Sequence, residues 1–325
     1  MVRRFEISNN TLIETEAANS PVVVYINPDT AEKNKILTEN RLDEHTLASA
    51  LDPDEVSRIE FNPDRLLLIW KRPMNYSGGD KFYFNVASVG LFLINNRLVV
   101  VLTEDIPISD PGVRQFAHLE SPMDVLLNFL SNTINHYLEH LKVIKMISRD
   151  IQKKINTSME NKHLIQMINL SESLVYYTNA ISGNDTVLTR LRSHAEKQSF
   201  PTQTIELLDD LIIENTQCYR QAGVYATVFA GLMDARGTLI NNNMSLLLKN
   251  LTIINIVFLP LNLLASIGGM SEFTMMTQGI HWQISYLLFF FGMILIGGLT
   301  YFLLGRIDSG VRPPVWSRKR RKKSS

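Results

Sequence analysis

Residues 250–270, NLTIINIVFLPLNLLASIGGM, and residues 284–304, ISYLLFFFGMILIGGLTYFLL, are two runs of 21 residues without a charged side chain. About 20 apolar residues in a helix cross a bilayer, so both read as transmembrane spans. Only 13 residues, Ser271 to Gln283, separate them, which makes the pair a membrane hairpin. The first run also carries polar residues at helical spacing. Stepping back from Ser266 by four and three gives Asn262, Leu259, Asn255, Thr252, Leu248, Ser245, Asn241, Thr238 and Asp234. That spacing keeps to one face of a nearly straight helix. Only Leu248 and Leu259 on this face are apolar. An unpaired buried amide costs about 1–3 kcal/mol, so the face must meet a partner helix or water. Hydrogen bonding between packed helices is one reading. The other is a water-filled pore, because the stripe runs unbroken into the span and its leucines are placed to narrow a pore as apolar constrictions. One helix cannot enclose a pore, so this reading requires an oligomer with this helix at its centre.

Basic residues set the orientation. Arg306 and Arg312 follow the second span, then the run Arg318, Lys319, Arg320, Arg321, Lys322 and Lys323. Arg236 and Lys249 precede the first span, while the 13-residue connection has neither Lys nor Arg. Positive charge stays inside, so both termini are expected in the cytoplasm and the short loop outside. The expected location is a bacterial inner (plasma) membrane. A basic run also suits nucleic acid, but beside a span it reads as an anchor on anionic lipid headgroups. The formal net charge is +0; with the basic run set aside, the remainder is mildly acidic. That balance tolerates divalent cations nearby and argues against a nucleic-acid partner. The single Cys218 cannot form an intrachain disulfide. The start, Met1-Val2-Arg3-Arg4-Phe5-Glu6, lacks an apolar signal region, so no cleaved peptide is expected.

The residues before the spans divide by composition. Val22 to Ile26, Leu66 to Trp70 and Leu98 to Leu102 read as strands, bounded by Asn27-Pro28-Asp29, Tyr76-Ser77-Gly78-Gly79-Asp80 and Asn95-Asn96. Asp43 to Leu51 reads as a short helix. This predicts an α/β domain over 1–118, long helices over 119–245, a membrane hairpin over 246–305 with an outer loop at 271–283, and a basic tail over 306–325. After Ser121-Pro122-Met123-Asp124 the pattern becomes helical. Leu126, Leu130, Ile134, Leu138, Leu141, Ile144, Ile151 and Ile155 make one stripe of a helix from about 122 to 157. A second helix spans about 160–198, with Ser182-Gly183-Asn184 as a weak point. Phe200-Pro201 breaks the chain, and a third helix starts near Thr202 with no proline before Pro260.

Several of these segments resemble the CorA-type magnesium channels: the long helix feeding the first span, Phe258-Leu259-Pro260-Leu261 within it, and Gly269-Met270-Ser271 at its end. Lys249 with Leu251-Thr252-Ile253-Ile254, and Gly231-Leu232-Met233-Asp234, extend the resemblance upstream. Leu51 to Val56 and Arg65 to Leu68 extend it faintly to the first domain. The resemblance implies a funnel-shaped homopentamer whose long helices line one axial pore for divalent cations, with no tightly bound cofactor. It implies a selectivity mouth at Gly269, Met270 and position 271. There the family has Asn, and this chain has Ser271. A hydroxyl on a shorter stem makes a wider ring of weaker acceptors than the amide carbonyls that suit hydrated Mg²⁺. Zn²⁺ or another transition metal is therefore the rival ion. Glu272 follows directly and adds negative charge. The resemblance also implies regulatory divalent ions between subunits at Asp210, within the acidic group Asp209, Asp210 and Glu214. Met275 and Met276 in the outer loop read as packing.

His136-Tyr137-Leu138-Glu139-His140 fits the H-x-x-E-H pattern of a zinc protease helix. No third ligand is evident, and solvated histidines are the reading adopted. Neither a phosphate-binding G-x-x-x-x-G-K-[ST] nor a G-x-S-x-G elbow occurs, so no enzyme is expected. A two-span membrane scaffold or sensor that conducts little remains the reading from a different class.

Overall fold

The structure, a computed structural model, describes residues 1–75, 82–108, 119–155 and 161–307. The expected turn at Tyr76 to Asp80 and the basic residues from Arg312 onward lie outside the described residues. Packing groups Met1–Asp234 as one compact unit and Ala235–Ser325 as a second.

The first unit is built on a seven-stranded sheet. In chain order its strands are β1 (Val2–Ser8), β2 (Thr11–Glu14), β3 (Val22–Ile26), β4 (Arg58–Asn62), β5 (Arg65–Pro73), β6 (Val86–Ile94) and β7 (Arg97–Leu102). They are arranged β2-β1-β3-β7-β6-β5-β4. Every pairing is antiparallel except β3 with β7, where Val22 lies opposite Leu98 and Ile26 opposite Leu102. The three strands expected from apolar runs are all present, and they are continuous runs because both faces are buried. Val22, Val24, Leu66, Leu68, Trp70, Leu98 and Val100 point into one core. Val23, Tyr25, Leu67, Ile69, Val99 and Val101 point into the other. Strands β1, β2, β4 and β6 were not foreseen. The β1–β2 turn has the same chemistry as the Asn95-Asn96 turn. Asn9 and Asn10 adopt φ of 50° and 61°, Asn95 and Asn96 of 49° and 60°, as the two-residue turn of a right-twisted hairpin requires.

Two short helices contribute to the second core, α1 (Thr30–Asn40) and α2 (Glu44–Leu51). The first was not foreseen, because Ile36 is its one buried side chain and leaves no apolar periodicity to read. A capping box holds its start: Asp29 accepts from the Glu32 N–H, and Glu32 accepts from the Asp29 N–H. Asp43 caps α2. Gly90 in β6 lets α2 come close, since a Cβ there would lie 2.7 Å from the Ala50 Cβ.

The other core is closed by the long helices α3 (Pro122–Ile155), α4 (Asn161–Lys197) and the first part of α5 (Thr202–Gly268). On α3, Leu126, Leu130, Ile134, Leu141, Ile144 and Ile151 are buried and Leu138 is half-buried, as the periodicity predicted, while the Ile155 side chain lies outside what the structure describes. Because these helices share one core with the sheet, the compositional boundary at 118 is not a boundary of packing.

Two expectations are corrected here. Helix α4 does not weaken at Ser182-Gly183-Asn184. Asn184 is fully buried, and its amide serves as an artificial strand neighbour. Its Oδ1 accepts from the Lys71 N–H (3.0 Å) and the Ser57 hydroxyl (2.8 Å), and its Nδ2 donates to the Lys71 carbonyl (2.8 Å). Strand β4 ends at Arg58, opposite Ile69, so among the described residues no strand lies beside Lys71 on that edge of β5. Gly183 permits the approach, because a Cβ there would meet the Ser57 Oγ at 3.2 Å. Nor are the H-x-x-E-H histidines both solvated. His140 is buried, shares a 2.6 Å hydrogen bond with the Tyr177 hydroxyl, and lies 4.4 Å from the His136 ring. Burial, then the neighbouring His136, pushes its pKa down to about 4, so it is neutral near pH 7. His140 belongs to the core, and His136 is half-buried beside it.

Candidate functional site

Within the second unit, α5 runs to Gly268, a six-residue helix α6 (Ser271–Met276) follows, and α7 (Trp282–Ile307) returns. The outer connection expected at 271–283 is thus partly helical. Both α5 and α7 are long and apolar enough to cross a membrane.

The two spans meet through small residues. A Cβ on Gly268 would lie 2.6 Å from the Phe289 ring, and one on Gly297 would lie 3.3 Å from Leu261. Glycine at these points lets the helices approach closely, as apolar packing within lipid requires. Within residues 250–268 of α5 the half-buried residues are accordingly Ile253, Val257, Pro260, Leu261, Leu264 and Gly268. The Gly297-Gly298 pair inside an apolar run was the legible signal for this contact.

The polar stripe lies on the opposite side of α5. Thr238, Asn241, Ser245, Leu248, Thr252, Asn255, Leu259, Asn262 and Ser266 are all exposed in the protomer, with Leu259 70% exposed. Asp234, the last residue of the first unit, is exposed as well. Ser245 and Thr252 donate their hydroxyls back to the Asn241 and Leu248 carbonyls at 2.9 and 2.8 Å. This directs their remaining lone pairs outward. The side-chain amides of Asn255 and Asn262 make no hydrogen bond within the protomer among the described residues.

At the end of α5, the Gly269 N–H donates to the Ala265 carbonyl and the Met270 N–H to the Ile267 carbonyl, each at 3.1 Å. Met270 then turns to extended backbone and starts α6 without a side-chain cap. Ser271 and Glu272 are exposed, and the serine hydroxyl lies 3.5 Å from the glutamate carboxylate. Phe273 pins this short helix to α7, edge-on to Phe289 at 5.2 Å and to Tyr286 at 6.4 Å.

The acidic group on α5 separates into different roles. Asp209 is bound by the Arg192 guanidinium at 3.0 Å, whereas Asp210 is exposed. Among the described residues, no three His, Cys, Asp or Glu side chains are grouped to hold a metal ion within one protomer.

The sequence matches the family described as CorA-like Mg²⁺ transporter protein over residues 23–306. It is similar to a cobalt/magnesium transport protein CorA of Methanocaldococcus jannaschii, 22% identical over 236 residues that make up 69% of this chain and 71% of that one. Among solved structures, the fold is similar to the complete CorA magnesium transporter of Methanocaldococcus jannaschii, with a TM-score of 0.67 at 17% identity over 93% of this chain and 96% of that one. It is also similar to the full-length CmaX protein, with a TM-score of 0.68 at 12% identity over 94% and 96% of the two chains.

Proposed function

The chain belongs to the family of CorA-like Mg²⁺ transporter proteins, and from that premise we propose that it passes Mg²⁺ down its electrochemical gradient through an axial pore lined by α5 at the centre of a homopentamer. Membership makes it a divalent cation transporter of the membrane with two C-terminal spans. Both termini then face the cytoplasm and the membrane is a bacterial inner membrane, with the stripe from Asp234 to Ser266 turned to the pore and Gly269, Met270, Ser271 and Glu272 at its outer mouth.

One observation carries this reading. The face of α5 that holds the polar stripe is the face that α7 leaves uncovered. Packing inside the hairpin therefore does not satisfy the amides, and a ring of stripes around water does. Single cysteines introduced at 255, 259 and 262 should react with water-soluble thiol reagents in the assembled protein, whereas those at 253, 257 and 261 should not. Native Cys218 is fully buried and adds little background. Equal labelling of the two sets overturns the pore.

Ser271 favours a second reading in which Zn²⁺ or another transition metal passes. Ser271→Asn should raise the Mg²⁺/Zn²⁺ flux ratio in liposomes loaded with ion-sensitive dyes. Glu272→Gln should lower both fluxes together, most at low ionic strength, because salt screens an exposed charge over about 8–10 Å. An unchanged ratio in Ser271→Asn removes this position from selectivity, and no flux of either ion in the wild type leaves a non-conducting scaffold.

We further propose that Asp210 holds a regulatory divalent ion between subunits. Asp210→Ala should then make flux less sensitive to internal Mg²⁺. If millimolar Mg²⁺ leaves the protease sensitivity of the wild-type protein unchanged, that site is absent.

A further inference from the structure

The short helix α6 and the turn after it carry large apolar side chains that no described residue of the protomer covers. Met275 is 69% exposed, Met276 86%, and Ile280 and Trp282 are exposed beside them. The reading of the two methionines as packing residues does not hold within one chain. The segment is nevertheless ordered by its own bonds. The Thr277 hydroxyl donates to the Phe273 carbonyl at 2.9 Å, the Ile280 N–H to the Thr277 carbonyl at 3.0 Å, and the Ile284 N–H to the His281 carbonyl at 2.9 Å. Phe273 and the Phe289 ring, itself seated on Gly268, hold α6 to the end of α7. The exposed methionines are thus fixed at a definite level along α7.

That level is given by the aromatic residues of α7. Trp282 opens the helix and Tyr301 lies near its other end, both largely exposed. At 1.5 Å per residue the two are about 28 Å apart along the axis, close to the roughly 30 Å thickness of the hydrocarbon core. Trp and Tyr collect at the two membrane–water boundaries. With Tyr301 at one boundary, Trp282 lies at the other, and Met275, Met276 and Ile280 lie beside it among the headgroups. From Ser271 to Gln283 the only charged residue is Glu272, and no Lys or Arg opposes entry into that layer.

We propose that Met275, Met276 and Ile280 form a membrane-interface anchor that inserts into the headgroup and upper acyl layer on the loop side of the bilayer. On α7, Ile284, Leu287, Leu288 and Phe291 recur at helical spacing and form an exposed apolar side. The anchor ties Ser271 and Glu272, on the same short helix, to the depth of the bilayer surface. It depends on the two spans alone and holds whether or not the stripe conducts.

The test uses the full-length protein in phospholipid vesicles, with Met276→Cys carrying an environment-sensitive fluorophore and Met275→Cys as a second, independent position. Lipids brominated high on the acyl chain should quench the probe at least about twofold, its emission should shift to the blue, and aqueous iodide should quench it far less. Strong quenching by iodide with none by brominated lipid places the methionines in water and overturns the anchor. Shielding from both quenchers, together with subunit crosslinking through Met276→Cys, assigns the surface to a second copy of the chain and overturns it equally.

Discussion

Cation flux should fall at least about 100-fold when Asn255 and Asn262 are both replaced by leucine, with oligomer size and yield unchanged. The two amides lie on the uncovered face of α5 on either side of Leu259, and neither has a partner among the described residues of the protomer. In a pore they replace part of the hydration that an ion loses. Leucine at 255, 259 and 262 would produce three successive apolar levels, a stretch that excludes water. An added barrier of about 3 kcal/mol is a hundredfold in rate, and stranding a divalent cation between such rings costs at least that much. The packing reading makes the opposite forecast. Buried amide pairs between helices within lipid contribute only about 1 kcal/mol, so their replacement by leucine would leave any flux intact and change the strength of association instead. Dye flux in vesicles, read beside size-exclusion profiles, separates the two. Retained flux in the double variant ends the assignment of this face to a pore.

Asn184→Leu should destabilise the first unit by about 3 kcal/mol or more. The side chain is fully buried and bonds the Lys71 N–H, the Lys71 carbonyl and the Ser57 hydroxyl. Leucine has the same number of side-chain heavy atoms and the same branching but leaves those three groups without these partners. A buried polar group deprived of its partner costs about 1–3 kcal/mol. Thr189→Ala, at an exposed position of the same helix, should stay within about 0.5 kcal/mol of wild type. Thermal unfolding of the full-length protein measures both. Equal midpoints for Asn184→Leu and Thr189→Ala would mean that α4 is held to the sheet by its apolar contacts alone.

These two asparagine sites differ in how they were legible. Asn255 and Asn262 stand out because they interrupt apolar sequence at helical spacing, a purely local pattern. Asn184 sits beside a glycine and a serine, and locally that triplet reads as a break. Its role depends on Lys71, 113 positions away, and on a neighbouring strand that ends two residues too early. His140 is a similar case, since its burial depends on Tyr177 across the interface between α3 and α4.

The sequence by itself determined the two spans, the continuity of α5 into the first of them, the polar stripe and the three doubly buried strands. Each is written in one element's own periodicity or composition, and needs only the solvent on either side of it to be interpreted. Tertiary structure alone decided the remaining strands, the placement of α1, the Asn184 clamp, and the side of α5 that α7 covers. Strands β1, β2 and β4 alternate too weakly to stand out, and they are strands because a neighbour supplies their hydrogen bonds. The polar stripe was evident beforehand, but its exposure was not, because exposure is set by where Gly268 and Gly297 allow the second span to approach and so by which face of the first span is left uncovered.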